Sequence, residues 1–247
     1  MIELQDVTFA YPANPDKLIL KDVSLTFPKG QFISLIGKSG CGKSTILKLL
    51  TTQRHPQSGQ ILFHNRPIQL GDVAYMPQKD LLLPWLSILD NVLLSDKLDA
   101  NNSISRDKAL AWLERAGLAE VAHALPHQLS GGMRQRAAFV RTILSNRSVL
   151  LLDEPFSALD AFTQFEMQQW LLSLWQKLNQ TIIFISHNIE EAILLSHRIY
   201  LLKTVDESGK QEVQTYHIDL PSNRSGDIRF TDEFKAYQRR IEVAIHD

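Results

Sequence analysis

The stretch that most limits what this chain can become is "QFISLIGKSGCGKSTILKLL", residues 31–50. A short apolar run, residues 32–36, reads as a buried strand, and it passes directly into a loop containing Gly37, Gly40 and Gly42. Behind the loop a helix is expected from Lys43 to about Gln53. The nine residues Gly37, Lys38, Ser39, Gly40, Cys41, Gly42, Lys43, Ser44 and Thr45 fit the pattern G-x-x-x-x-G-K-[ST] in the setting it requires, after a strand and at a helix start. Glycines there let backbone amides and the helix N-terminus converge on phosphate oxygens, an approach that Cβ atoms would block. In that pattern Lys43 contacts the β and γ phosphates and Ser44 a Mg²⁺ ion. Cys41 reads as a small residue that fits a crowded turn rather than as a nucleophile.

Around this unit the chain alternates strands and helices. Residues 2–9 and 18–27 form an expected antiparallel pair across "YPANPD"; "QILFHN" and "DVAYM" read as further strands. Helical character dominates residues 80–145, with Ser87 and Ser105 as N-caps and Gly117 closing the second helix. Strand patterns return at 148–153, 181–186 and "RIYLL", separated by helices at 161–179 and 189–195, and the chain ends with a returning strand, "EVQTYHI", and a helix, "DEFKAYQRRIEVAI". The expected fold class is α/β: a mostly parallel sheet covered on both faces, a small antiparallel β unit at the N-terminus, and an inserted α-helical subdomain. Residues 1–79 and 146–247 would form one nucleotide-binding core and 80–145 the insertion.

Bulk composition narrows the partners. With 26 basic and 27 acidic residues the formal charge is −1, and no block of one sign points to nucleic acid or a charged membrane surface. No apolar run approaches the roughly 20 residues of a membrane span, and the opening "MIELQDVTFAYP" has no signal pattern. A single cysteine excludes an internal disulfide framework and fits a reducing compartment, so a cytoplasmic location is expected.

A second motif, "VLLLDEP", ends an apolar strand in two carboxylates at the edge where open α/β sheets bind ligands. Asp153 is placed to hold Mg²⁺, directly or through water, and Glu154 to polarise an attacking water. Together the two motifs define a P-loop nucleotide hydrolase.

The third motif is more specific. "LSGGMRQR", residues 129–136, resembles the signature of ATP-binding cassette (ABC) ATPases, and Tyr11, Gln78, "SALD" and His187 follow in that family's order over nearly the whole chain. The resemblance implies ATP and Mg²⁺ as ligands and a homodimer packed head to tail. Ser130, Gly131 and Gly132 of one subunit would then close over the γ-phosphate held by Lys43 of the other. A helix beginning at Ser130 supplies the physical basis, since its N-terminal amides form a second anion site. By the same resemblance Tyr11 stacks on adenine, Gln78 reaches Mg²⁺ or the attacking water, Asp160 crosses the dimer interface, and His187 contacts the γ-phosphate and supports Glu154. Asp160 also reads as the N-cap of the following helix. The chain departs from the family pattern at Asn188, where Asp is usual.

"KDLLLPWL" completes the reading. Pro84 disfavours helix at Leu83, so the segment is expected to be a shaped loop. In the resembling family this segment lines the groove that receives a cytoplasmic helix of a membrane permease, with Trp85 and Leu residues as anchors; packing of Leu81–Leu83 into the helical subdomain is the competing role. The wording "YMPQKDLLLPWLSILDNVLL", the signature and the late "IDLP" resemble the nitrate, sulfonate and taurine importer group, which includes importers of pyrimidine precursors of thiamine. That resemblance implies a separate permease and, indirectly, a solute-binding protein, with the cassette peripheral on the inner face of the membrane. Two alternatives stay open on sequence: a soluble ABC ATPase without a permease, and a cassette that binds nucleotide without hydrolysing it.

Overall fold

The computed structural model describes residues 1–94, 104–157, 159–175, 180–206, 209, 211–221 and 224–246. Two sheets form among them. β1 (Ile2–Ala10), β2 (Leu18–Phe27), β4 (Ser58–Phe63) and β5 (Arg66–Pro67) make an antiparallel sheet in the order β2-β1-β4-β5. The second sheet runs β10-β9-β3-β8-β7-β6, built from β3 (Phe32–Ile36), β6 (Ala74–Met76), β7 (Val149–Asp153), β8 (Thr181–Ile185), β9 (Arg198–Leu202) and β10 (Val213–His217). All its pairings are parallel except β9 with β10.

The twofold alternation of side chains along these strands divides the interior. Ile33, Leu35, Val149, Leu151, Ile183, Ile185 and Leu202 face the antiparallel sheet and α1 (Lys43–Leu50), where Ile46, Leu49 and Leu50 meet Phe9, Leu20 and Phe27. Phe32, Ile36, Leu150, Leu152, Ile182, Phe184, Ile199 and Leu201 face the other way, onto the remaining helices. Because both faces are covered, the central strands β3, β7 and β8 are buried at every position except Asp153, and all but Ser34, Asp153 and Thr181 in them are apolar.

The helices begin at the expected residues. α2 (Ile88–Val92) is capped by Ser87, whose hydroxyl accepts from the Asp90 amide; α3 (Arg106–Arg115) by Ser105, which accepts from Lys108; α4 (Gly131–Leu144) by Ser130, which accepts from Met133. Gly117 follows α3 with φ of 68°, a conformation that suits glycine at a helix end. α5 (Ala161–Trp175), α6 (Ile189–Leu195) and α7 (Asp232–His246) follow. None of the helices among the described residues is long and apolar enough to cross a membrane.

Two boundaries differ markedly from expectation. α1 stops at Leu50, because the Thr51 hydroxyl turns back to the Leu47 carbonyl and Thr52 adopts a φ of 58°. "QILFHN" is a strand only to Phe63: His64 and Asn65 have φ of 50° and 64° and form the two-residue turn between β4 and β5. Residues 176–179, the expected end of α5, lie outside the described residues.

Candidate nucleotide site

Four strand ends of the second sheet build the site: β3, β6, which leads to Gln78, β7, and β8, which leads to His187. β3 delivers the glycine loop. At Gly37, φ is 147° and a Cβ would lie 2.2 Å from the Leu202 carbonyl oxygen; at Gly42, φ is 106° and a Cβ would meet the Leu20 side chain at 2.5 Å. The loop is therefore walled by β2 and β9, and only glycine fits against the walls. Lys43 is 9% exposed, and its ammonium donates to the Gly37 carbonyl at 2.8 Å and the Lys38 carbonyl at 3.2 Å. Lys38, Ser39, Gly40 and Ser44 are exposed, whereas Cys41 is buried, and burial pushes its thiol pKa up. No side chain caps α1 and no acidic residue lies in its first turn, so its amides are free to meet an anion.

Tyr11 sits beside this helix. Its phenol oxygen is 3.2 Å from the buried Thr45 hydroxyl and 3.4 Å from the Lys48 ammonium, which also lies 5.4 Å from the ring centroid. Burial pushes the phenol pKa up, but the hydrogen bonds from Thr45 and Lys48 outweigh it and leave it below its ordinary value.

β7 delivers Asp153 and Glu154. The Tyr75 hydroxyl of neighbouring β6 donates to Asp153 Oδ2 at 3.1 Å. Burial raises the Asp153 pKa, Tyr75 opposes that shift, and the adjacent Glu154 adds to it. At Glu154 the backbone turns to φ of 46° while its amide still donates to the Ile185 carbonyl at 3.1 Å. Its carboxylate lies between two residues expected from sequence: Gln78 Nε2 donates to Oε2 at 3.2 Å, and His187 Nδ1 lies 3.1 Å from Oε1. His187 keeps 64% of its side chain exposed, open to a ligand. Gln78 Nε2 also donates to the Ser157 hydroxyl at 3.0 Å, so the nitrogen end of the amide makes both contacts and its oxygen takes part in neither.

The signature segment reaches this cluster through Gln135, whose Nε2 donates to the Gln78 carbonyl at 3.2 Å. Ser130 and Gly131 are exposed at the head of α4, and Gly132 is packed so tightly that a Cβ would reach Thr163 Cγ2 at 2.6 Å. Thr163 is also the partner of Asp160, whose carboxylate accepts from the Phe162 and Thr163 amides and from the Thr163 hydroxyl at 2.7 Å. These bonds hold its pKa below the ordinary carboxylate value. Asn188 caps α6 by accepting from the Glu191 amide at 3.2 Å. An Asp side chain performs the same capping, so the departure at this position leaves the helix start intact.

Sequence reading missed four groups here: Tyr75 behind Asp153, Ser157 beside Gln78, Gln135, whose side chain donates to the Gln78 carbonyl at 3.2 Å, and Glu191. Glu191 is buried and accepts from Ser186 Oγ at 2.5 Å, from Gln168 Nε2 at 2.9 Å and from Gln164. Of the four, Ser157 within "SALD" and Gln135 within "LSGGMRQR" lie inside motifs that the sequence singles out.

A glycine loop on the turn from β3 into a helix, two carboxylates at the end of β7 and a histidine just after β8, the strand between them, define a P-loop nucleotide hydrolase. Residues 20–157 match the family model described as ABC transporter. The chain is 39% identical over 215 residues to the formylaminopyrimidine import ATP-binding protein ThiZ of Halalkalibacterium halodurans, covering 87% of this chain and 84% of that protein. It is also 39% identical to the nitrate import ATP-binding protein NrtD of Synechococcus elongatus, over 88% of this chain and 81% of that one. Among solved structures, a dimeric post-hydrolysis state of the ATP-binding cassette MJ0796 bound to ADP and Pi superimposes with a TM-score of 0.76 at 30% identity, over 90% of this chain and all of that one. The chain belongs to the ABC transporter family, as an ATP-binding and ATP-hydrolysing cassette.

Proposed function

We propose that this cassette powers a multi-subunit importer of a small solute, of the nitrate, sulfonate or taurine kind or of the pyrimidine-precursor kind. Relatives named for import of nitrate, aliphatic sulfonates and formylaminopyrimidine, at 39% identity over most of the chain, support it. In the hydrolytic step a water oxygen bonds to the γ-phosphorus, the bond from that phosphorus to the β–γ bridging oxygen breaks, and the water's proton passes to Glu154. ADP and inorganic phosphate leave. The observation that carries this assignment is the Glu154 carboxylate held between Gln78 and His187, which aims it at one point above the sheet edge.

Lys43 and His187 neutralise charge on the phosphates, with the backbone of Gly37–Thr45 as cradle and Tyr11 as the surface for adenine. A hard cation of the Mg²⁺ kind suits the oxygen donors Ser44, Asp153 and Gln78, and when bound it would neutralise the β and γ oxygens. Exposure of Ser130 and Gly131 supports a head-to-tail homodimer in which they cover the partner's γ-phosphate, with Asp160 at the interface. Leu81 and Trp85, 59% and 71% exposed, support docking of a permease helix near Leu81–Leu86, on the inserted helical subdomain proposed for residues 80–145. The cassette would thus work on the inner face of the membrane, and a solute-binding protein would act on it only through the permease.

Glu154→Gln tests the chemistry. Nucleotide binding should persist while turnover falls by about 10²-fold or more, the scale of a lost general base; near-normal turnover removes Glu154 from that role. Co-purification from mild detergent tests the assembly, which predicts capture of a permease; recovery of a free dimer with no membrane partner counts against an importer.

A further inference from the structure

One side chain far from every motif holds the phosphate loop from behind. Gln211 lies between β9 and β10, and its Nε2 donates to the Cys41 carbonyl at 3.0 Å and to the Lys203 carbonyl at 2.8 Å, with the Ile19 carbonyl at 3.4 Å. Its Oε1 accepts the Lys21 amide at 3.0 Å. A single amide thus ties together β2, the glycine loop and the end of β9, the same two strands that wall Gly37 and Gly42.

The direction of these bonds matters. In a planar trans peptide the carbonyl of one residue and the N–H of the next point to opposite sides. With the Cys41 carbonyl turned outward onto Gln211, the Gly42 N–H is turned into the loop. Gly42 has a φ of 106° and lacks a Cβ, so its flanking peptides rotate easily unless something external fixes them. A flipped Cys41–Gly42 peptide would put a carbonyl oxygen where phosphate oxygens must sit. Oriented amides cradle an anion only while every dipole agrees in sign.

We propose that Gln211 is a positioning residue for nucleotide binding: it locks the Cys41–Gly42 peptide with its N–H toward the phosphates. The proposal rests on the reading of Gly37–Thr45 as the phosphate loop. Its consequence is kinetic, because the lock acts on the ground state and the transition state alike, and uniform binding appears in KM rather than in kcat.

The test uses the full-length protein with Gln211→Glu, which keeps shape and size but replaces the donating amide by acceptors, and Gln211→Ala, which removes the group. Both should raise the KM for ATP and the dissociation constant of a fluorescent ATP analogue by about tenfold, as loss of one well-placed hydrogen bond does, with kcat at saturation within about twofold. Cys41 is the sole cysteine, so thiol labelling reports on the loop itself. Labelling should accelerate in both variants and be suppressed by ATP. Unchanged KM and labelling in a folded variant overturn the proposal, as does a fall in kcat at constant KM, which would move the effect of Gln211 from nucleotide binding to the transition state. If Gln211→Glu does not fold, Gln211→Ala decides alone, and a failure of both to fold also assigns Gln211 to stability. Lys43→Ala separates the underlying reading: if it still binds ATP normally, the phosphate loop itself has been misassigned; if it does not, the Gln211 result stands by itself.

Discussion

The Arg141 guanidinium donates to the main-chain carbonyl of Asp80 at 2.7 Å and to that of Leu81 at 2.8 Å, so the helix that begins at the signature serine grips the chain just beyond Gln78. The same helix adds Arg134, which pairs with the Asp80 carboxylate at 3.0 Å, and Gln135 on the Gln78 carbonyl. Farther along, buried Asn91 accepts from the Leu83 amide and donates to the carbonyls of Leu83, Leu86 and Ser87. The loop that looked irregular in sequence is a fixed platform.

Arg141→Ala should therefore destabilise the fold by about 2 kcal/mol, the value of hydrogen bonds from a charged donor whose partners are left partly buried. Arg141→Lys should recover little of it, because an ammonium lacks the planar fork that reaches two carbonyls at once. Urea denaturation of the three proteins measures this, and full recovery by Lys would contradict the role of the fork.

Tyr75→Phe removes the only atom that distinguishes the two side chains, the hydroxyl on Asp153 Oδ2. Asp153 would lose its orientation, and the Mg²⁺ concentration needed for half-maximal ATPase should rise about three- to tenfold with little effect on the apo protein's stability, since positioning rather than packing is lost. An unchanged Mg²⁺ requirement would show that Tyr75 does not orient Asp153.

Trp85→Ala separates docking from packing. With 71% of its surface exposed, Trp85 contributes little to the core, so the isolated cassette should keep its basal ATPase and lose less than about 1 kcal/mol of stability. Stimulation by a reconstituted permease should fall at least tenfold, as removal of a central aromatic anchor does. Equal loss of basal and stimulated activity would instead make it a core residue.

Glu191→Ala should be the most damaging of these changes to stability, about 3 kcal/mol, because it removes the shared acceptor of the Ser186 hydroxyl and of the Gln164 and Gln168 amides and leaves the buried Gln168 amide without it. Ser186 immediately precedes His187, so hydrolysis should fall as well. Thermal unfolding and turnover measured on the same preparation test both expectations.

The order of motifs along the chain was enough to foresee the α/β class, the three serine caps and the meeting of Gln78, Glu154 and His187, because each is set by local patterning or by its place at a strand end. Contacts between strands adjacent in space but distant in sequence were invisible. Tyr75 faces Asp153 because β6 lies against β7, and Gln211 meets Cys41 across 170 positions because β9 lies against β3. Nor does any local pattern announce the left-handed backbone of His64 and Glu154, since neither is glycine.

Leu81 shows what the platform costs. Its φ of 45° is one that a leucine adopts at an energetic penalty, and its side chain is 59% exposed, so the isolated cassette gains from it neither backbone ease nor much burial. Glycine would suit the turn better. On the docking proposed above, a residue that is a poor choice for the subunit alone becomes a good one once the permease helix covers it, and stability screening of the solitary cassette would then select against Leu81.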